Sequence, residues 1–449
     1  MIVVCIGSFL NPLILSSVMV AIPAIADDLQ ADAVLVSWIP TAFLLTTVIL
    51  MLPFGKLSDM YGRKRTYLRG IVILGIASLL ASLAPNIYIL IACRVLQGFG
   101  AAQTMGTGMA IVAAVVPAHK RGAALGLVAT AVYVGLASGP LLGGFFTENF
   151  GWRSVFIFHL PLVILVAFLT IWKLKGDWKS EVKPQFNWAG SLIFAIWAIL
   201  VLLGLSAMPS WQGAFCLALS CGFAYWFFYN QSRATHPLVK VNALRANKVF
   251  SYSLISAFLL YSATFPITFL LSLYLQYIKG ISPVFAGQFL IVQAVTMAIL
   301  APVAGRLSDR YEPRLLTTFG CLCVAVGFAL LLRIGFDTPN SYVVVSQLLF
   351  GIGFGFFSSP NNNAALGSLK NAGLGIASAI LNLSRMLGNM IGMGVVMMII
   401  SIHMGGVLIE PSNYGQLLSA IKSALALSFC YALIAAFYSF SRGKVRNRE

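Results

Sequence analysis

Apolar runs of about twenty residues with almost no charge recur from Met1 to Phe440, and each is long enough to cross a hydrocarbon core roughly 30 Å thick. Fourteen such spans are predicted, over 2–25, 34–53, 68–84, 87–116, 123–146, 152–172, 188–208, 211–229, 249–275, 283–304, 315–334, 343–365, 373–402 and 414–440. At about 24 residues each they take up roughly 336 positions and leave about 113 for loops and tails. No sizeable domain outside the membrane fits, which excludes nucleotide-binding modules and large ectodomains. The fold class this pattern implies is an all-α membrane protein.

Composition agrees. Hydrophobic residues make up 59% of the 449 and charged residues 9%, against roughly a quarter charged in a soluble domain. Lys and Arg number 29 against 12 Asp and Glu, a formal +17, which in a soluble protein would raise the question of nucleic acid. Placement answers it. With the N-terminus inside, the basic residues of 56–69, 120–121, 173–183, 233–248, 306–314, 370 and 442–448 fall on the cytoplasmic side, as the positive-inside rule requires. Both termini are therefore expected in the cytoplasm of a multi-pass cell-membrane protein, with no nucleic-acid partner. Trp152, Trp172, Trp188 and Trp211 stand at predicted span ends as interfacial anchors. The seven cysteines all lie in apolar runs and are expected as buried small hydrophobes; their odd count argues against a disulfide framework. The stretch from Met1 lacks a basic leader and a small-residue cleavage site, so it reads as the first span and not a signal peptide. Its abrupt start leads to the expectation of a short preceding tail.

An internal repeat organises the chain. Gly55–Lys64 reads GKLSDMYGRK and Gly305–Arg314 reads GRLSDRYEPR, and both follow the second span of a half if spans 188–229 are inserted between two six-span halves. Many secondary transporters are built from such parallel repeats. The expected domains are a six-helix bundle over 1–175, an inserted helix pair with flanking linkers over 176–235, and a second bundle with a basic tail over 236–449.

The segment GKLSDMYGRKR (Gly55–Arg65) resembles the signature that joins helices two and three on the cytoplasmic side in the major facilitator superfamily. Gly55 and Gly62 permit a tight connection there. Asp59 is expected to pair across the cytoplasmic gap with an Arg or a helix N-terminus, next to Arg63. The second copy, with Gly305 and Asp309, carries Glu312-Pro313 where the first has Gly-Arg. RVLQGFGAA (Arg94–Ala102) is similar to the second motif of the family and puts an arginine inside the bilayer, where a charge should face the bundle interior. GLASGPLLGG, with Gly135, Gly139, Pro140, Gly143 and Gly144, resembles the motif of exporting antiporters. Glycines spaced by four admit a neighbouring helix, and the proline supplies a flexing point.

Fourteen spans, WIPTAFLL (Trp38–Leu45), GWRSVFIFHLPL (Gly151–Leu162) and NLSRMLGNMIG (Asn382–Gly392) together look like the fourteen-helix drug:proton antiporter branch, over essentially the whole chain. The resemblance implies two six-helix bundles plus two inserted helices, alternating access, and a midplane cavity lined by the first and fourth helices of each half. Those spans offer Asn11, Ser16, Arg94, Gln97, Tyr261, Thr264, Asn361, Asn362 and Asn363, the last three after a helix break at Pro360; Arg385 joins them from span thirteen. One departure bears on coupling. Aligning on Ala21-Ile22-Pro23 puts Ile14 where the branch commonly carries an acid, and every one of the 12 acidic residues falls in a loop, tail or span end. His159 is left as the coupling candidate at depth.

HExxH, GxxxxGK[ST] and paired CxxC patterns are absent from the sequence, and GIGFG (Gly351–Gly355) lies in an apolar span with no strand before it. Neither enzyme, cofactor nor metal is expected. The expected function is export of a small amphipathic compound, neutral or anionic, by proton antiport. The alternatives are a metabolite exporter or importer with different coupling, and a membrane receptor or enzyme; the oligomeric state is open, with a monomer sufficient.

Overall fold

The computed structural model describes residues 2–116, 121–174, 176–178, 186–235, 237–238, 247–368 and 374–443. The side chains of 109, 113, 114, 121–126, 129, 309 and 374–376 lie outside that description. Residues 175 and 236, at the expected domain junctions, and most of the basic tail also lie outside it.

Backbone polar groups with no water to bond must be satisfied within each crossing segment, which selects helix for every apolar run. The first half comprises α1 (Ile2–Asp28), α2 (Ala33–Tyr61), α3 (Arg63–Ser82), α4 (Ile87–Val115), α5 (Arg121–Phe150), α6 (Ser154–Ile157) and α7 (Leu160–Lys173). The inserted pair is α8 (Trp188–Ser206) and α9 (Trp211–Arg233). The second half comprises α10 (Lys248–Thr264), α11 (Ile267–Leu273), a π turn at Tyr274–Ile278, α12 (Pro283–Arg310), α13 (Pro313–Leu331), α14 (Asn340–Gly367), α15 (Leu374–Met404) and α16 (Tyr414–Ser441). Among the described residues, 13 helical segments are long and apolar enough to span. The fourteenth, α9, is a helix of 23 residues whose apolar content Gln212, Tyr225 and Trp226 dilute.

Prolines depart from the sequence expectation in both directions. The span over 152–172 is interrupted between α6 and α7, with His159 at the break and Pro161 in the first turn of α7. The span over 249–275 is interrupted before Pro266, which caps α11. By contrast, the break expected at Pro360 does not occur. α14 runs through it from Asn340 to Gly367, and α5 likewise runs through Pro140, because in a packed membrane bundle neighbouring helices and local adjustment re-satisfy the backbone groups a proline frees. Two other expectations fail on burial. Trp152 is no interfacial anchor: it is buried, donates to Asp28 Oδ2 at 3.0 Å, and carries the Arg153 guanidinium over its ring at 4.3 Å. Of the cysteines, only Cys93 and Cys321 are buried, while Cys221 and Cys430 are exposed, since an apolar run does not say which side faces a neighbour.

The chain forms two compact units, one of Met1–Leu238 with Ile281–Gly287 and Gly406–Leu408, the other of Val239–Gly280, Gln288–Gly405 and Ile409–Glu449. The inserted pair thus groups with the first half. In the first unit α1 packs along α5, and α4 packs against both α2 and α3. Absent side chains allow this. A Cβ on Gly143 would lie 2.8 Å from Ser17 Cα, one on Gly139 2.9 Å from Ser17 N, and one on Gly135 3.1 Å from the carbonyl carbon of Phe9. Gly144, the next residue along, meets the backbone of Pro283 and Val284 of the same unit. In the second unit α13 and α14 approach through Gly320 and Gly353, where a Cβ on either would meet the other's carbonyl at about 2.5–2.6 Å. The GIGFG glycines are therefore packing residues: Gly351 and Gly355 seat against Thr296 and Leu300 of α12.

The α1–α5 seam generates a controlled comparison. Gly143→Val overpacks it and should cost about 1–3 kcal/mol, read as a lowered melting temperature in detergent. Gly222→Val, where no atom lies within 4 Å of an added Cβ, should leave melting unchanged; equal melting of the two variants would contradict the seam.

Candidate functional site

The connection between α2 and α3 is a single residue. α2 continues through Gly55 to Tyr61, and Gly62 at φ 108 makes the turn, a conformation an L side chain resists. Gly62 alone therefore carries the tight connection assigned to both glycines. Asp59 pairs with Arg63 four residues on, at 2.9 Å, and Arg63 also donates to Ala110 O at 3.0 Å. The pair thus joins the end of α2 to the start of α3 across the one-residue turn. A second acid, which the sequence reading did not single out, closes over the turn: Asp177 accepts from Lys64 N at 3.1 Å and pairs with Arg65 at 3.1 Å. Arg63 N bonds Trp178 O, and Lys64 Nζ reaches the carbonyls of Ile171 and Leu174. A Cβ on Gly62 would collide with the Asp177 carboxylate. In the second copy Pro313 starts α13 in place of the glycine turn. Gly305 lies against Ser359 Oγ, and Asn363 donates to Ser308 Oγ at 2.6 Å. The Asp309 side chain lies outside the described residues.

Arg94 is fully buried and is occupied by its own bundle. Its Nε donates to Ile39 O at 3.0 Å, its Nη1 to Gln97 Oε1 at 2.6 Å, and its guanidinium lies over the Phe43 ring at 4.8 Å. Gln97 then donates to Ser78 Oγ at 2.7 Å, and Ser78 spends its one proton on Leu74 O at 2.7 Å. His159 Nε2, 2.9 Å from Ser78 Oγ, must therefore be the donor in that contact. Four buried side chains, Ser78 of α3, Arg94 and Gln97 of α4 and His159 at the α6–α7 break, thus form one chain of donors that ends on the Ile39 carbonyl of α2 and the Leu74 carbonyl of α3. Asn11 similarly ties α1 to α4 by donating to Thr104 Oγ1 at 3.0 Å.

Three successive amides on α14 serve three different partners, because side chains one residue apart on a helix point about 100° apart. Asn361, fully buried, donates to Ser253 O at 3.2 Å and accepts from Arg442 Nη1 at 2.9 Å. Asn362 accepts from Arg385 Nη2 on α15. Asn363 holds Ser308, as above. Arg442 was grouped by sequence with the basic tail, yet it is 1% exposed and also bonds Thr317 Oγ1 at 2.9 Å and Ser253 Oγ at 3.2 Å; burial holds its guanidinium below the ordinary value, at about 10. It joins α10, α13, α14 and α16. Arg385 differs from the other two arginines. It is half-buried, with its guanidinium 5.6 Å from the Tyr261 ring centroid, and Tyr261 meets Phe354 edge-on at 5.2 Å. Among the described residues no group of three His, Cys, Asp or Glu is placed to hold a metal.

Two tests follow from these networks. In a background freed of native cysteines, a cysteine at buried Thr66 should react with a maleimide several-fold faster after Asp177→Ala, through release of the turn; unchanged labelling would remove the clasp. Arg442→Met should destabilise by at least about 2 kcal/mol, since hydrogen bonds to charged groups are the strong ones. Adding Asn361→Ala to it should cost little more, as partners in one network are non-additive, both read by thermal melting.

Comparison with known proteins places this arrangement. The chain is 34% identical over 399 residues to the riboflavin transporter RibZ of Clostridioides difficile (strain 630), covering 86% of each protein. It is 27% identical over 398 residues to the multidrug resistance protein Stp of Mycobacterium tuberculosis (strain CDC 1551 / Oshkosh), covering 86% of this chain and 72% of that one. In fold it is similar to the crystal structure of a POT family transporter in complex with a thioalcohol-conjugated peptide, with a TM-score of 0.74 at 15% identity, covering 98% and 96% of the two chains. The sequence model of the Major Facilitator Superfamily matches residues 4–393, and this chain, an all-helical transporter and not an enzyme, belongs to that superfamily.

Proposed function

We propose that the protein exports a small amphipathic compound across the cell membrane by proton antiport, alternating access to a site between helices, with both termini in the cytoplasm. The observation that carries the reading is the α1–α5 seam: Gly135, Gly139 and Gly143 bring backbone against backbone beside Pro140, in the stretch that resembles the exporter motif. The relative named as a multidrug resistance protein supports the same direction. A second reading rests on the relative named as a riboflavin transporter, and makes the substrate a planar, largely neutral vitamin-like molecule. Coupling is assigned to a carboxylate at a span end, Asp32 or Asp59, rather than to His159, which is fully buried and engaged with Ser78. Asp32 caps α2 by accepting from Val34 N and Leu35 N at 2.9 and 2.8 Å, so a proton there would loosen the start of that helix.

Purified protein in proteoliposomes with an imposed pH gradient should accumulate members of an amphiphile panel that includes riboflavin, and a protonophore should abolish the accumulation. Indifference to the gradient would overturn antiport. His159→Gln should keep most gradient-driven accumulation; its loss with exchange intact would return coupling to His159.

A further inference from the structure

Three arginines are drawn in among the helices, Arg442 at the end of α16, and their surroundings divide them. Arg94 and Arg442 are 0% and 1% exposed and are each held by two or three neutral acceptors. They are sealed structural cations. Each of the three leaves one buried nitrogen without a partner, Nη2 of Arg94 and Nε of Arg385 and Arg442; Arg385 is set apart because it keeps exposed surface and has one acceptor, Asn362 Oδ1. A guanidinium carries five N–H donors in a planar fork, so most of its capacity is unspent. Among the described residues no carboxylate pairs with it: the three ion pairs all lie in the first half, at Asp28, Asp59 and Asp177.

Depth and direction fix what could fill that capacity. Arg385 stands eleven residues from the start of α15 at Leu374, about 16 Å along the helix at 1.5 Å per residue. The side chain turns inward, to Asn362 of α14 and Tyr261 of α10. Tyr261 is set rigidly. Gly388 of α15 lets α10 approach until an added Cβ would lie 3.1 Å from Tyr261 Cβ, and Phe354 buttresses the ring edge-on at 5.2 Å. A fixed aromatic plane beside a half-used planar fork suits a ligand with an aromatic body and a coplanar anionic or acceptor-rich edge, because the fork bonds such an edge bidentately.

We infer that Arg385, with Asn362, Tyr261 and Phe354, forms a substrate subsite that selects planar aromatic compounds bearing a carboxylate or similar acceptor edge, and that Arg94 takes no part in ligand recognition. The inference deepens the small-molecule reading above and rests on it for the identity of the ligand as transported substrate. It runs against permanent cations, since burying a second positive charge beside Arg385 without a carboxylate is costly.

The test uses the full chain in phosphatidylcholine vesicles, which supply no anionic lipid. Binding of 2-naphthoate, 2-naphthamide and 2-naphthylmethylammonium is measured by calorimetry. Wild type should bind the carboxylate best and the ammonium at least about tenfold more weakly. Arg385→Gln should weaken naphthoate by about ten- to a hundredfold, the range of a charge-assisted hydrogen bond, while naphthamide changes less than threefold; Arg385→Lys, which keeps charge and loses the fork, should fall between. No carboxylate preference in wild type, including no measurable binding, overturns the proposal, as does an equal loss of carboxylate and amide in a folded Arg385→Gln protein. If the preference and its Arg385 dependence hold but the wild type moves none of the three compounds across the vesicle wall, the subsite stands and their assignment as substrates falls.

Discussion

Guanidinium groups set among apolar helices must find acceptors, and at depth this chain offers them amides, hydroxyls and carbonyls in place of carboxylates. Much of the architecture answers to that requirement. Arg94 draws in Ile39, Gln97, Ser78 and through them His159, which ties α2, α3 and α4 to the irregular point between α6 and α7. Arg442 does the same for the second half through Asn361, Ser253 and Thr317. A neutral acceptor returns less electrostatic energy than a carboxylate, so each cation needs several, and several acceptors mean several helices. Cross-helix order in each half thus follows from where its buried arginine stands.

The close backbone seams are the counterpart of those polar knots. Lipid tails are as apolar as leucine, so helices in a bilayer gain little from hiding apolar area and associate through tight contact. Glycine is the means at Gly135, Gly139 and Gly143 against α1, and at Gly320 against Gly353. Where the chain needs a reversal and not a seam, one glycine at positive φ suffices, as at Gly62, and its missing side chain leaves the room that the Asp177 carboxylate occupies.

Legibility in the sequence followed the range of the interaction. Spans and the first copy of the repeat are local patterns of hydropathy and glycine, and they translated into helices and a turn, apart from the breaks at His159 and before Pro266. Residue partners depend on helix rotation, which one span's composition does not encode. Asn361, Asn362 and Asn363 read alike as cavity amides, yet they go to three different neighbours. Arg442 reads as part of the basic tail, because Lys444, Arg446 and Arg448 follow it; its spacing of three from Ser439, on the face that meets Thr317, was the available signal. Asp177 stood out only as an acid among lysines in KLKGDWKSEVK. Pro360 was misjudged because proline in water argues against a continuing helix, whereas in a packed membrane bundle it does not.

The consecutive amides of α14 have a mechanical corollary. A turn of that helix by one residue's worth, about 100°, would carry Asn361 away from Arg442 and Asn362 away from Arg385 in the same movement, while Asn363 quit Ser308. The rotational setting of α14 thus registers together the sealed cation, the half-open cation and Ser308 in the second copy of the repeat.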